Sequence, residues 1–342
     1  MNLHEGLGFN YLPHQEQQAY KLMLKSFSSM AASVNCSQIN PNVDLMKVLH
    51  TVLGDNPSVI YFDKTKIQIE KSIIDKRIHL TGVYSNPQAE KMHLALDATA
   101  NKIASLVKAR SASNDDYSLL INLYEILQKN IQYDKEELQA NTRGICKNPA
   151  SHNAYGAIIN KSAVCDGFSS AFALLAQKLG FECMLVVGCS KYTSTELAEH
   201  AWNIVKAQNR YYHMDITWDA RKYNEFSEFS YAYFAMTDED ITSDHHWNKT
   251  AVPVCSFNDF SYYSKNGLYA YNTEQLKAIV KAFGRKNSSV FRIKLSRNIK
   301  LPNNAGEYLV QTVLNEAAKP GMRTQASYGW NENAMCFFAK IV

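Results

Sequence analysis

The first third of the chain alternates between segments of helical and of strand periodicity. The spacing of apolar residues predicts helices over 15–32, 44–53 and 86–110. Short apolar or alternating runs predict strands over 59–62, 66–71 and 76–83. Asn86 and Pro87 predict an N-cap followed by a proline at the first helical position. We therefore expect residues 1–112 to form one α+β domain.

The middle of the chain predicts helices followed by strands. One amphipathic helix begins after the capping-box-like run 113–116, and another begins at Cys165 and ends at Gly180. Strands are predicted over 183–188, 201–206 and 210–216. The polar segment 135–152 shows little periodicity and predicts a loop. We expect residues 113–268 to form a second domain.

The pattern changes again after about residue 265. Helices are predicted over 273–283 and 305–318, and strands over 290–295 and 335–342. We expect residues 269–342 to form a small α/β appendage. Its sequence shows no candidate chemistry, so a scaffold or binding role is the default interpretation.

Composition narrows the class of protein. Hydrophobic residues make up 46% of the chain, which excludes a disordered protein, and the net charge of +4 comes without a basic cluster. We therefore expect no nucleic-acid partner. No apolar run is long enough to cross a membrane, and the start lacks a basic segment followed by an apolar one. We expect a cytoplasmic protein with no membrane contact, or a secreted one if a leader has been removed.

The seven cysteines form an odd set without a Cys-x-x-Cys pair. This argues against a zinc site and against a disulfide framework, so we expect reduced thiols and neither metal nor cofactor. Cys165 alone directly precedes a predicted helix. The partial positive charge at a helix N-terminus favours a thiolate there. Cys183 and Cys189 flank an apolar strand and are interpreted as core residues.

A thiolate nucleophile needs a base, and the base needs an orienting group. If the strands around residues 207 and 208 close symmetrically, His200 lies directly opposite Asp215, with Cβ atoms about 4.5–5.5 Å apart. A bulge would change this pairing, and His213 is a rival on the same hairpin. The adjacent His245 and His246 are a weak metal pair without an evident third ligand.

Four runs together resemble the transglutaminase-like superfamily. They are Tyr-Gly-Ala at 155–157, Ala-Val-Cys-Asp-Gly-Phe-Ser at 163–169, His-Ala-Trp-Asn at 200–203 and Asp-Ile-Thr-Trp-Asp at 215–219. The resemblance implies a papain-like α+β core in which the helix carrying the cysteine packs on an antiparallel sheet. It also implies Cys165 as nucleophile, His200 as general acid/base and Asp215 as orienting carboxylate. Asp219 is the first alternative carboxylate.

The family resemblance implies a thiol enzyme of bacterial type acting on a protein or peptide amide through a thioester. Water would complete hydrolysis, as in a protease or amidase, whereas an amine would give a cross-link; we favour hydrolysis slightly. The alternative is a non-catalytic module binding peptides or cell-wall material on the same fold. His152, Tyr155 and Asn160 are candidates for the second oxyanion donor, and Trp202 and Trp218 are either cleft walls or core residues. The sequence does not indicate the oligomeric state.

Overall fold

The computed structural model describes residues 3–71, 76–82, 84–191, 196–285, 288–317 and 325–341. It combines helices with mainly antiparallel strands, so the predicted α+β class is confirmed. Contacts divide the chain into two compact units, 1–230 with 245–255 and 231–244 with 256–342. The division into the domains 1–112, 113–268 and 269–342 concerns parts that would fold independently, and it stays a prediction. None of the described helices is long and apolar enough to span a membrane.

The α-helices, in chain order, are α1 (His14–Ser28), α2 (Leu45–Asp55), α3 (Asn86–Arg110), α4 (Asp116–Asn130), α5 (Lys135–Asn141), α6 (Cys165–Lys178), α7 (Ile216–Phe226), α8 (Asp238–Ile241), α9 (Tyr262–Lys265), α10 (Thr273–Gly284) and α11 (Ala305–Ala317). Every helix that the sequence predicts is therefore present. Short 3₁₀ turns lie at Lys64–Lys66 and Pro149–His152.

The strands are β1 (Ser33–Asn35), β2 (Gln68–Lys71), β3 (Lys76–His79), β4 (Gln132–Tyr133), β5 (Ser162–Ala163), β6 (Cys183–Lys191), β7 (Leu197–Ala207), β8 (Arg210–Met214), β9 (Phe234–Met236), β10 (His245–His246), β11 (Tyr269–Ala270), β12 (Val290–Leu295), β13 (Ala326–Asn331) and β14 (Cys336–Ile341). Residues 83, 318 and 342, where three predicted elements end, lie outside the described residues.

Three local predictions before residue 153 are wrong. Residues 59–62 form no strand: all four are buried and pack as irregular chain within the core, where Tyr61 and Phe62 contact Phe27. Helix α3 is preceded by Ser85 as its N-cap, one residue earlier than predicted. The predicted loop 135–152 contains α5, because the side chain of Asp134 caps it by accepting from the amide of Glu137 at 2.9 Å.

Helix α6 packs against strand β7 in the main sheet of the first unit. Strands β10, β6, β7 and β8 lie side by side in that order, and each neighbouring pair is antiparallel. The Ser169 hydroxyl on α6 lies 2.9 Å from the carbonyl of Ala201, and the Asn203 amide donates to the carbonyl of Ser169 at 3.1 Å. These bonds fix the first turns of α6 on the strand that carries His200.

The hairpin of β7 and β8 closes one residue later than predicted. Ala207 pairs with Arg210, so the loop is Gln208–Asn209, both with positive φ. This is the geometry of a tight two-residue hairpin turn. The predicted direct pairing of His200 with Asp215 is therefore wrong. The predicted strand 210–216 also ends at Met214, because the chain turns into α7.

The second unit has its own core. Strands β11, β12, β14 and β13 lie in that order, with β11 and β12 parallel and the other pairs antiparallel. Helices α10 and α11 contribute buried apolar residues to it, among them Leu276, Val280 and Val313. The predicted elements after residue 265 are present, and β11 and β13 are additional strands.

Candidate active site

Cys165 is the first residue of α6 and lines a cleft of about 230 Å³. Its side chain is partly exposed, whereas Cys36, Cys183, Cys255 and Cys336 are buried. Amides in the first turn of a helix have no partner within the helix and point toward its N-terminal end. The thiol therefore lies in a region of positive potential that solvent can reach.

The turn 149–152 packs directly on the start of α6. A Cβ atom added to Gly167 would lie 2.2 Å from the carbonyl oxygen of Ser151, so only glycine allows this approach. The amide of Val164 also donates to that carbonyl at 3.1 Å. This packing places His152 in the same cleft as Cys165.

His200 and Asp215 form a buried pair beside the cleft. The Nε2 atom of His200 lies 2.7 Å from Oδ2 of Asp215, and the two residues are 7% and 0% exposed. The other carboxylate oxygen, Oδ1, accepts from the backbone amides of Thr217 at 3.0 Å and Trp218 at 3.3 Å. The start of α7 therefore fixes the orientation of Asp215, and Asp215 fixes the ring of His200.

His200 and Cys165 line the same cleft, and the thiol is close enough to the His200 ring to contribute to its pKa. Since Nε2 contacts Asp215, we infer that Nδ1 faces the thiol. Burial of the ring opposes its charged form, but Asp215 and Cys165 outweigh this and raise the pKa of His200 to about 9. The pKa of Asp215 is lowered: burial works to raise it, and His200 and His245 more than reverse this. The ring is thus an imidazolium at neutral pH.

His245 is a site residue that the sequence analysis did not assign. Its Nε2 atom lies 3.0 Å from Oδ2 of Asp215, the same oxygen that His200 contacts, and the residue is fully buried. Its neighbour His246 is exposed. The sequence offers His245 only as half of a weak metal pair and as part of a segment resembling the family downstream of Asp215, because nothing local to it indicates contact with a residue thirty positions earlier.

The rival residues have other partners. His213 accepts from the indole Nε1 of Trp202 at 3.0 Å, and both residues are buried in the core. Asp219 is fully buried and accepts from the Tyr124 hydroxyl at 2.7 Å. Trp218 is partly exposed, with its ring centroid 6.2 Å from that of His200. Trp202 is therefore core, and Trp218 borders the pair of His200 and Asp215.

A second network of charges adjoins Cys165. His152 contacts Oδ2 of Asp166 through Nδ1 at 3.0 Å and Oε1 of Glu137 through Nε2 at 3.1 Å. Burial opposes the charge on His152, yet the two carboxylates raise its pKa to about 9. The resulting cation balances Asp166, which follows Cys165 in the chain. Because both ring nitrogens face carboxylates, His152 is not placed as an oxyanion donor.

Beside the cleft, two groups of described side chains could share a metal ion by distance. They are Glu137, Cys146 and His152, and His200, Asp215 and His245, with ligand atoms in each group within 4.8 Å of one another. The second group supplies the third ligand that the sequence analysis missed for His245. In both groups each histidine already contacts a carboxylate through Nε2. Each group therefore has atoms that could bind a metal, but the hydrogen bonds between these side chains already explain why they lie close together.

The sequence matches a family profile over this region. Residues 104–216 match the transglutaminase-like superfamily, a span that contains Cys165, His200 and Asp215. No protein of curated function gives a significant match. At the level of the family, the match supports a thiol enzyme.

Three solved structures show partial likeness. A crystal structure of a TGase is 15% identical, with 44% of this chain and 43% of that one covered and a TM-score of 0.31. A provisionally assigned cysteine protease from Cytophaga hutchinsonii is 11% identical, with coverages of 44% and 61% and a TM-score of 0.28. A provisionally assigned protease from Parabacteroides distasonis is 7% identical, with coverages of 81% and 61% and a TM-score of 0.24.

The likeness spans less than half of the first of these proteins and about three fifths of the other two. At TM-scores this low we take no function from them. The family match over the site stands without them. Residues 104–216 of this chain thus carry the sequence pattern of the transglutaminase-like superfamily.

Proposed function

We propose that the protein is a thiol hydrolase that attacks the amide bond of a peptide or of a glutamine side chain. The observation that carries the proposal is the convergence of three groups: a thiol at a helix N-terminus, an imidazole that lines the same cleft, and a buried carboxylate 2.7 Å from that imidazole. A nucleophile, a base and an orienting group in this order are the parts that covalent acyl transfer requires.

The proposed reaction begins from the thiolate–imidazolium pair. Sγ of Cys165 attacks the carbonyl carbon, and the backbone amide of Cys165 donates to the developing oxyanion. Nδ1 of His200 gives its proton to the leaving amine, the C–N bond breaks, and a thioester remains. A water molecule, deprotonated by His200, then attacks the thioester and releases the acid. Asp215 keeps the proton of Nε2 in place throughout, so only Nδ1 exchanges protons.

We propose water rather than an amine as the second substrate. Cys165 is partly exposed at the edge of an open cleft, and water therefore reaches the thioester without a dedicated acceptor site. An enzyme that cross-links must let an amine compete with 55 M water, which calls for a site that binds the amine.

The experiment that tests this function supplies both acceptors. A glutamine-containing protein is incubated with the enzyme and monodansylcadaverine, and ammonia, new peptide ends and bound dansyl label are measured together. We expect ammonia or new peptide ends with little label, and no reaction by enzyme alkylated at Cys165. Label equal to the ammonia released would show a cross-linking enzyme. Binding of substrate without any product would instead favour the peptide-binding module.

A further inference from the structure

A second cavity adjoins the catalytic cleft. It has a volume of about 300 Å³ and lies between the start of α2, strand β6 and the segment 247–252. The two cavities share three lining residues, His50, Leu185 and Val187. The two cavities are therefore neighbours in the first unit, and we call the pair of cavities the groove.

The second cavity has an apolar wall that solvent reaches. Val187 is 46% exposed and Met46 is 36% exposed, and Leu12, Ala251 and Val252 complete the wall. Asp44 and Lys47 also line the cavity and supply its polar groups. Large apolar side chains exposed together in a concave site are a common feature of ligand-binding grooves.

The cavity also lies along an edge of β6. Four consecutive residues, 184–187, line it, although side chains of a strand alternate between its two faces. All four can border one cavity only if it lies beside the strand. On the side away from β7, the described part of the chain gives β6 one partner, β10, which pairs only with Cys189 and Ser190. The edge at 184–187 therefore has no strand partner there.

We propose that this groove binds an extended peptide segment next to the reactive amide and takes one apolar side chain of that segment between Met46, Val187 and Val252. An extended chain satisfies the open edge of β6 through main-chain hydrogen bonds, and the apolar wall selects its side chain. The occupant is a segment of the substrate, because the second cavity directly adjoins the cleft that holds Cys165. The proposal rests on the proposed function and specifies its substrate class: unfolded or extended chains with a leucine-like residue near the amide.

The test measures binding apart from turnover. Fluorescent peptides with a central glutamine are titrated against the Cys165→Ser variant, with leucine or aspartate placed at each flanking position in turn, and anisotropy gives the dissociation constant. We expect leucine at one position to bind at least about tenfold more tightly than aspartate, the range that apolar pockets provide. In the same background, Met46→Asp should remove this preference. The variant should fold, because an acidic residue in the first turn of α2 interacts favourably with the helix dipole.

A matched control is Leu94→Asp, which changes a 63% exposed leucine on α3 outside the groove and should keep the preference. Equal binding of all peptides, binding of none, or an unchanged preference in Met46→Asp would overturn the proposed groove. Failure of the proposed function has a different result: wild-type enzyme releases no product while the Cys165→Ser variant still prefers leucine.

Discussion

Replacement of Cys165 by alanine is expected to lower the rate of amide hydrolysis by at least about 10⁴-fold, because no other group in the cleft can form the thioester. The remaining cleft-lining side chains with titratable atoms include His50, Lys64, His152 and Glu199. None of these residues is a thiol with a base beside it. The measurement is kcat/KM on the best substrate from the acceptor experiment.

The fold should survive this change. Cys165 is partly exposed at the first position of α6, and alanine is a good helix former, so we expect the free energy of unfolding to change by less than about 0.5 kcal/mol. Circular dichroism and thermal unfolding of the variant provide the control. A folded Cys165→Ala protein with an unchanged rate would exclude the proposed nucleophile.

Replacement of Asp215 by asparagine is expected to lower kcat by about 10⁴-fold, because it leaves His200 in the wrong tautomer. Two backbone amides, of Thr217 and Trp218, donate to Oδ1, so the asparagine oxygen is held at that position. The NH₂ group then occupies the Oδ2 position and donates to His200. Nε2 of His200 must accept, which leaves the proton on Nδ1, and a neutral Nδ1–H cannot take the proton of the thiol.

The same change should lower the pKa of His200 from about 9, because the charge of Asp215 is a main factor that raises it against burial. The alkaline limb of the pH–rate profile therefore moves to lower pH. Asp219→Asn is the matched control: Asp219 contacts the Tyr124 hydroxyl, and its loss of charge should affect stability more than kcat. If Asp219→Asn lost activity and Asp215→Asn kept it, the orienting carboxylate would be reassigned.

The helix and strand periods of the sequence predicted the elements that build the site. The predicted closure of the hairpin between β7 and β8 was wrong, yet His200 and Asp215 still contact each other in the structure. Closure one residue later shifts each cross-strand partner by two positions. Since side chains repeat every two residues along a strand, a shift of two keeps His200 and Asp215 on one face. They are not direct cross-strand partners: Asp215 directly follows the last residue of β8, and its side chain contacts the ring of His200 on β7. The contact was thus predicted through a register that is wrong.

Other features depend on contacts that local patterns do not carry. The apolar run 59–62 is buried on all sides without pairing to a strand, and periodicity cannot distinguish that state from a buried strand. Helix α5 is short and polar, so its cap is a stronger signal than its spacing. The contact between His245 and Asp215 joins residues brought together only by the sheet order.

The central claim is that Cys165 and His200 form a thiolate–imidazolium pair, and the pH dependence of alkylation tests it most directly. Iodoacetamide labelling of each cysteine is followed by mass spectrometry in wild type and in His200→Ala, with the partly exposed Cys146 and Cys189 as internal controls. In wild type we expect Cys165 to react rapidly well below the free-thiol pKa of about 8.5, and in the variant to lose this advantage. An ordinary thiol profile for Cys165 in both proteins would contradict the pair, and with it the proposed enzyme.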